Sequence, residues 1–367
     1  MLPKIIYSGS IMKRSLIRSL TALVTVCILA GCSARIDVTP SSSSVVTETE
    51  TAETVTETTE ATTTTEARGH YEYKPVVMSS IFLEIMGEDM YDAYKNYIKA
   101  VQNGEEEFAV KSESDYDWML GQFPNKFQPV YEVYTESNYA GAFKDGKATF
   151  QYKIPKEELA QKQAEFEEMV TGILNEVLRD DYSDVEKILA LYIYFSNNYT
   201  YDYDTYNKMN DEAVQGICAY RFFTTKHGIC AECSTAFSFL LLQAGVDATV
   251  CGGNREIDGE GHAWTYVTIN GKNYHVDPTF VMESGNCLSY FMMTDEQRYN
   301  EGGFKKEENR VACHYKNDKN GSEYTADDDF FAPLWGKYLT SFDPEKKIIY
   351  YTDIDGNQGE FDYSAFG

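Results

Sequence analysis

One turn in this chain can be drawn from its residues alone. Asn270-Gly271 lies between two runs, residues 262–269 and 272–279, in which apolar and polar positions alternate as in half-buried strands. Asn-Gly is the strongest two-residue hairpin signal, because both residues take positive φ at little cost. Such a turn sets its own register: Ile269 pairs with Lys272 and, counting outward, Trp264 opposes Asp277 and His262 opposes Thr279. Paired residues share a face, and so do residues two apart. His262 and Asp277 are therefore expected as diagonal neighbours, within reach of an imidazole–carboxylate hydrogen bond. Whatever fold the chain adopts must contain an antiparallel sheet that accommodates this pair.

A second segment, HGICAECSTAFSFLLLQAGV, reads as a buried helix. It runs apolar from Ala236 through Leu242, stops at Gly245 and opens on Cys230. The free N–H groups and positive dipole end of a helix N-terminus favour a thiolate and can stabilise an oxyanion. Position makes Cys230 a candidate nucleophile, and the hairpin supplies a base. In that reading Asp277 orients His262 and stabilises its cation, His262 pairs with the thiol, and Cys230 attacks a carbonyl.

GIC at a helix start, GHAW on a strand and HVDPT at the end of the next, in that order, resemble the transglutaminase-like core of the papain-like cysteine enzymes. The resemblance covers roughly Ser183 to Phe280. It implies an α+β fold in which the helix bearing the cysteine packs on an antiparallel sheet bearing the histidine and aspartate, with Cys230, His262 and Asp277 as the triad. The superfamily includes transglutaminases, bacterial peptidases and peptide amidases. Hydrolysis and amine transfer use the same triad and differ in which acceptor reaches the thioester, so the reaction stays open between them. After the nucleophile the chain has Ala231-Glu232-Cys233, a departure from the commoner C-x-G-Y pattern. The competing reading from another class keeps the fold as a non-catalytic cell-wall or peptide-binding module.

Several residues carry a plain structural reading beside a functional one. Cys230 and Cys233 form C-x-x-C, which suits a redox pair or half a zinc site. The stretch AYRFFTTKHG is a poor strand for the redox fold, and no second C-x-x-C exists, so no metal or cofactor is expected and Cys233 is read as a core residue one turn on or a resolving thiol that protects Cys230. With Cys27 in the leader and Cys32 set aside, Cys218, Cys230, Cys233, Cys251, Cys287 and Cys313 remain. Excluding the nucleophile leaves an odd number, of undeducible pairing. His275 is two residues from Asp277, and Trp264 shares the face of His262; each either supports the triad or packs in the core. Tyr199 and Tyr201 precede the nucleophile where related enzymes place a group that helps the oxyanion, with core or cleft-wall tyrosines as the safer reading. His227 is favoured as an exposed loop residue. The Asp353 to Asn357 stretch lacks the position-six glycine and terminal glutamate of a calcium loop and reads as a hairpin turn, and Asp327 to Asp329 as solvated surface.

The rest of the chain supplies an address. Residues 1–32 carry Lys4, Lys13, Arg14 and Arg18 with no acid, then the apolar run Leu20 to Ala30, too short to span a bilayer at about 1.5 Å per residue. Translation could start at Met1 or at Met12. Leu29-Ala30-Gly31-Cys32 resembles the lipobox of bacterial lipoproteins, which implies Cys32 as a lipidated membrane anchor; an ordinary cleaved signal would export the chain equally. Residues 33–70 are dominated by Ser, Thr and Glu and are expected to be a disordered, self-repelling tether. Beyond it the sequence divides into an N-terminal α+β region (71–182), with a helical stripe between Val76 and Ala100 and a strand pair about Asp145-Gly146; the catalytic core (183–300); and a β-rich C-terminal extension (301–367). Pro155 opens a long helix with one apolar face, and Ser183 with Glu186 makes a capping box for the next. The chain carries 58 acidic residues against 32 basic, a net charge of −26 that argues against a nucleic-acid partner. The expected partners are a peptide or protein substrate and a membrane; oligomeric state is not legible.

Overall fold

Adjacent residues at positive φ make two of the hairpins, at Asp145-Gly146 and Asn270-Gly271, in the computed structural model, which describes residues 69–116, 135–137, 142–208, 216–311 and 324–366. Of two compact units, Met1–Thr63 and Thr64–Gly367, the second holds every described residue. Cys32, Cys313, the leader and the Ser/Thr/Glu segment up to Arg68 lie outside the described residues.

Asn270 (φ 52°) and Gly271 (φ 74°) join β8 (Gly261–Ile269) to β9 (Lys272–Val276), with Ile269 paired to Lys272 and Thr265 to Val276 as the turn dictates. The expected pairing fails at one end. Pro278 cannot donate to a ladder, so β9 stops at Val276, and Asp277 becomes the N-cap of α8 (Pro278–Ser284) with Pro278 in its first turn. Thr279 therefore lies on a helix and does not face His262, which pairs with Gly253 instead. The sheet continues through β7 (Asp247–Asn254) to β10 (Arg310–Val311) in the order β10-β7-β8-β9, all antiparallel.

The helix α7 (Cys230–Gln243) packs on β7 and β8. It is apolar almost all round, so it is buried almost all round: Phe237, Phe239, Leu240 and Leu241 are fully enclosed. The Thr265 hydroxyl of β8 meets this helix twice, at Ser238 Oγ (3.0 Å) and at the Ser234 backbone carbonyl, to which it donates.

The stripe near Val76 to Ala100 forms two helices, α1 (Ser80–Met86) and α2 (Glu88–Gln102), because Gly87 at φ 80° breaks the run and donates its N–H to Leu83. A small sheet follows: β1 (Glu107–Ala109), β2 (Thr135–Ser137) and β3 (Phe143–Lys144) all pair with β4 (Lys147–Tyr152), and Asp145-Gly146 makes the tight turn. Most of the expected VYEVYTE strand lies outside the described residues. The long helix, α3 (Lys156–Val177), buries Phe166, Val170, Ile173 and Leu174; Phe166 stacks on Phe223 and touches Phe239 of α7, as Tyr73 does. The N-terminal region thus shares its core with the elements after it. Next comes α4 (Asp184–Asn198), whose capping box includes Ser183 N–H donating to Glu186 Oε2 at 2.6 Å. The C-terminal strands β11 (Tyr338–Asp343), β12 (Ile348–Thr352) and β13 (Gln358–Asp362) form a meander, with Asp353 to Asn357 as its second turn.

Candidate active site

Cys230 is the first residue of α7, and a polar network fixes that end of the helix. Glu232, at the third helical position, is 1 % exposed and accepts from the N–H groups of Ile229 (3.1 Å) and Cys218 (3.1 Å). The Arg221 guanidinium grips the same carboxylate through Nε and Nη2 and reaches Asp202 Oδ2 at 3.0 Å through Nη1. Arg221 lies on α6 (Ala219–Thr225) and Asp202 caps α5 (Tyr203–Asn207). Burial pushes the Glu232 carboxyl up, against the pull of Arg221. Gly228 has to be glycine here: an added Cβ would come within 2.6 Å of the Phe222 ring and 2.8 Å of Glu232 Oε2. Gly228 belongs to β6 (His227–Gly228), parallel to β5 (Thr200–Tyr201), and the pairing of Tyr201 with Gly228 brings that tyrosine beside Cys230.

His262, on β8, presents its ring between aromatic faces, stacked on Phe280 (4.8 Å, 12°) and Trp264 (5.9 Å, 23°). Its Nε2 lies 2.8 Å from Asp277 Oδ2, and the ring lines the same cleft as Cys230. With Nε2 given to the carboxylate, Nδ1 is the nitrogen left for the thiol. Burial alone would lower the imidazole pKa; the Asp277 charge and hydrogen bond prevail, with Cys230 adding to them, and push it up to about 9. Asp277 is fully buried and fully engaged: Oδ1 accepts from the N–H of Thr279 (3.0 Å) and Phe280 (3.3 Å), and Oδ2 from His262 and Arg298 Nη1 (2.9 Å). His262 and Arg298 hold its carboxyl below the usual range although burial works the other way.

Arg298 escaped the sequence reading. It lies on α9 (Asp295–Gly302), the polar segment DEQRYNEG, yet is 0 % exposed. Its guanidinium carbon sits 4.7 Å from the Trp264 ring centre, 5.3 Å from that of Phe280 and 4.4 Å from that of Phe304. The same three rings flank His262, so one aromatic box holds both partners of Asp277. Gly302 makes room, since a Cβ there would meet Arg298 Nη2 at 2.8 Å and the Phe304 ring at 2.5 Å.

The other candidates separate by position. Trp264 is buried and donates its indole N–H to His275 Nδ1 (2.9 Å), so the proton of His275 resides on Nε2 and is donated to Asp295 (3.0 Å). Burial lowers the His275 pKa, and this neutral imidazole locks Trp264 beneath His262 without reaching the cleft. Tyr201 lines the cleft with Cys230; Tyr199 is in the core, stacked on Phe222 at 4.4 Å. Cys233 is enclosed, with its sulfur 4.0 Å from Met282 Sδ, and burial pushes its thiol well up. Cys218, Cys230, Cys233 and Cys287 are free thiols, and no cluster fit for a metal occurs among the described residues. His227 is half-exposed, 3.8 Å from Asp202.

Cys230 and His262 are reached from two sides. One cleft is lined by Tyr201, Tyr203, Tyr206, Phe280, Glu260 and Glu283 among others; a shallower opening is lined by Gly252, Gly253, Asn254, Gly261, Ala263 and Arg310. A partly accessible thiol, a hydrogen-bonded imidazole and a buried carboxylate in series can deprotonate the thiol and return the proton to a leaving group.

Among solved structures, the chain is similar to a candidate cysteine protease from Cytophaga hutchinsonii (20 % identity, TM-score 0.21), over 26 % of this chain and 31 % of that one. It is also similar to a transglutaminase (16 % identity, TM-score 0.26), over 51 % of this chain and 58 % of that one. The chain thus spans less than two thirds of either. No curated protein matches it. Residues 171–278 match the family described as the transglutaminase-like superfamily, a stretch that runs from within α3 to the start of α8 and includes Cys230, His262 and Asp277.

Proposed function

We propose that the chain is an exported, lipid-anchored cysteine enzyme that takes peptide or amide carbonyls through a thioester at Cys230, resolved by water or by an amine. The observation that carries this reading is His262, which lines the same cleft as Cys230 while its Nε2 lies 2.8 Å from the buried Asp277. With His262 already an imidazolium and Cys230 its thiolate partner, sulfur bonds to the carbonyl carbon; the imidazolium, steadied by Asp277, protonates the departing amine; His262 then draws a proton from the acceptor that attacks the thioester. The first N–H groups of α7 are suitably placed donors for the oxyanion.

A thiol-directed electrophile near neutral pH tests the thiol directly. Cys230 is expected to react at least about tenfold faster than Cys287, the other half-exposed thiol of the described set. Equal rates would remove the case for activation. Full biological activity in Cys230→Ala would instead favour a binding module.

Export and anchoring rest on Lys13-Arg14, the apolar run and Leu29-Ala30-Gly31-Cys32. No helix of the described residues is long and apolar enough to cross a membrane. Cys32→Ser is expected to shift the protein from the membrane fraction to the medium, and an unchanged distribution would sink the anchor.

A further inference from the structure

The larger cleft on Cys230 has walls of aromatic rings and a rim of carboxylates. Tyr201 and Tyr203 meet at 4.8 Å and 63°, Tyr201 and Tyr206 at 6.1 Å and 54°, and Phe280 closes the side toward His262. Three tyrosines and Phe280 thus line one cleft, and the negative face of an aromatic ring attracts a cation. The phenol protons are taken up by the carboxylates of the same cleft: Tyr203 Oη donates to Glu283 Oε2 at 2.7 Å and Tyr206 Oη donates to Glu260. On the floor, Thr279 is 3 % exposed, and its hydroxyl makes no hydrogen bond of ordinary geometry.

The charges in the cleft do not balance. Arg255 lines it, but its guanidinium is held by both Asp258 and Glu260. Glu283 has its phenol partner and no ion pair to a cation among the described residues. A carboxylate beside tyrosine faces and a buried hydroxyl is a site for an ammonium or guanidinium group.

Resting on the thioester reading above, we propose that this cleft binds a protonated basic side chain of the acyl donor, so that the enzyme selects peptides with Lys or Arg next to the reacting carbonyl. The bound group is a recognition element and not the attacking amine. Carboxylate and π faces stabilise the protonated form, which has no lone pair to offer. The acceptor enters by the other opening, where glycine backbone and Arg310 present no carboxylate to hold a proton on it.

The test compares the 4-nitrophenyl esters of Nα-acetyl-lysine and Nα-acetyl-norleucine, which differ by one charge at nearly equal shape. In either case the Cys230 thiolate bonds to the ester carbonyl carbon, 4-nitrophenolate leaves as the anion, His262 stays protonated, and intact mass reports the acyl-enzyme with Cys230→Ala as blank. The lysine ester is expected to acylate at least about tenfold faster, and Glu283→Gln to bring that ratio below about threefold with an unchanged melting temperature. A ratio near one in the wild type, or one that survives Glu283→Gln, overturns the cation site and leaves the thioester reading standing. If neither ester acylates Cys230, the thioester reading fails and the cation site with it.

Discussion

Arg298 places a full positive charge, wholly enclosed, 2.9 Å from the carboxylate that orients His262. Removing one member of a buried ion pair strands the other, at a typical cost of about 3–5 kcal/mol. Arg298→Met is therefore expected to lower stability by about that much, and also to change the chemistry in a way lost packing would not. Without the guanidinium the Asp277 carboxyl rises toward its ordinary range, so the acid limb of the activity–pH profile moves up, and Arg298→Lys moves it part of the way back. An acid limb that stays put in both variants would make Arg298 a packing residue only. His262 has its own signature. Its pKa climbs from 6.5 to about 9 on folding, so its stabilising contribution, about 3 kcal/mol at most, is complete below the lower value and lost as pH rises through the upper. Chemical unfolding between those pH values should show a downward slope that His262→Asn abolishes. Nothing in DEQRYNEG separates a buried arginine from a solvated one, and Arg298 lies outside the matched stretch, so no local pattern could have found it. The His262–Asp277 pair was legible because a two-residue turn converts chain position into spatial position.

Elements explain where that conversion stopped. The Asn270-Gly271 turn set the register as far as Val276, but Asp277-Pro278 is a helix entry, with aspartate capping and proline in the first turn. Asp277 still meets His262 because a cap continues the strand's direction by one residue. The same logic governs α7. An N-terminal cysteine keeps its place only if the helix start is rigid, and Glu232 binds that start to Arg221 and Asp202 on two other helices. The Ala231-Glu232-Cys233 departure thus has a structural cause: the carboxylate does the fixing. Glu232→Gln keeps the volume and loses the charge facing Arg221, so a stability loss of about 3 kcal/mol and a slower reaction of Cys230 with electrophile are expected together. Urea unfolding and the labelling rate read the two effects, and an unshifted midpoint would show that the network is dispensable.

At the scale of the molecule, the question is whether the sequence divisions at about residues 182 and 300 are physical ones. The side chains argue for continuity. Phe166 and Tyr73 pack on Phe239 of the cysteine helix, and Phe331, Leu339, Ile349 and Tyr363 of the C-terminal segment join the same core. One carboxylate ties the ends together: Glu186, 0 % exposed, accepts from Ser183 N–H at the start of α4 and from Lys347 Nζ and Tyr363 Oη, each at 2.7 Å, on the meander. Sequence could show Glu186 only as the acidic half of a capping box, because its other partners are more than 150 residues away. Burial opposes its ionisation, but Lys347 and Tyr363 outweigh burial and hold its carboxyl below the ordinary value. Its contribution is therefore present above the unfolded carboxyl pKa and lost as pH falls through the folded one. Glu186→Ala should cost about 3–5 kcal/mol near neutrality and progressively less in acid. If the core is continuous, calorimetry will show a single transition moved to lower temperature, with labelling of Cys230 lost at the same point. A meander that melts first, in its own transition while Cys230 keeps its reactivity, would make the C-terminal strands a separable extension after all.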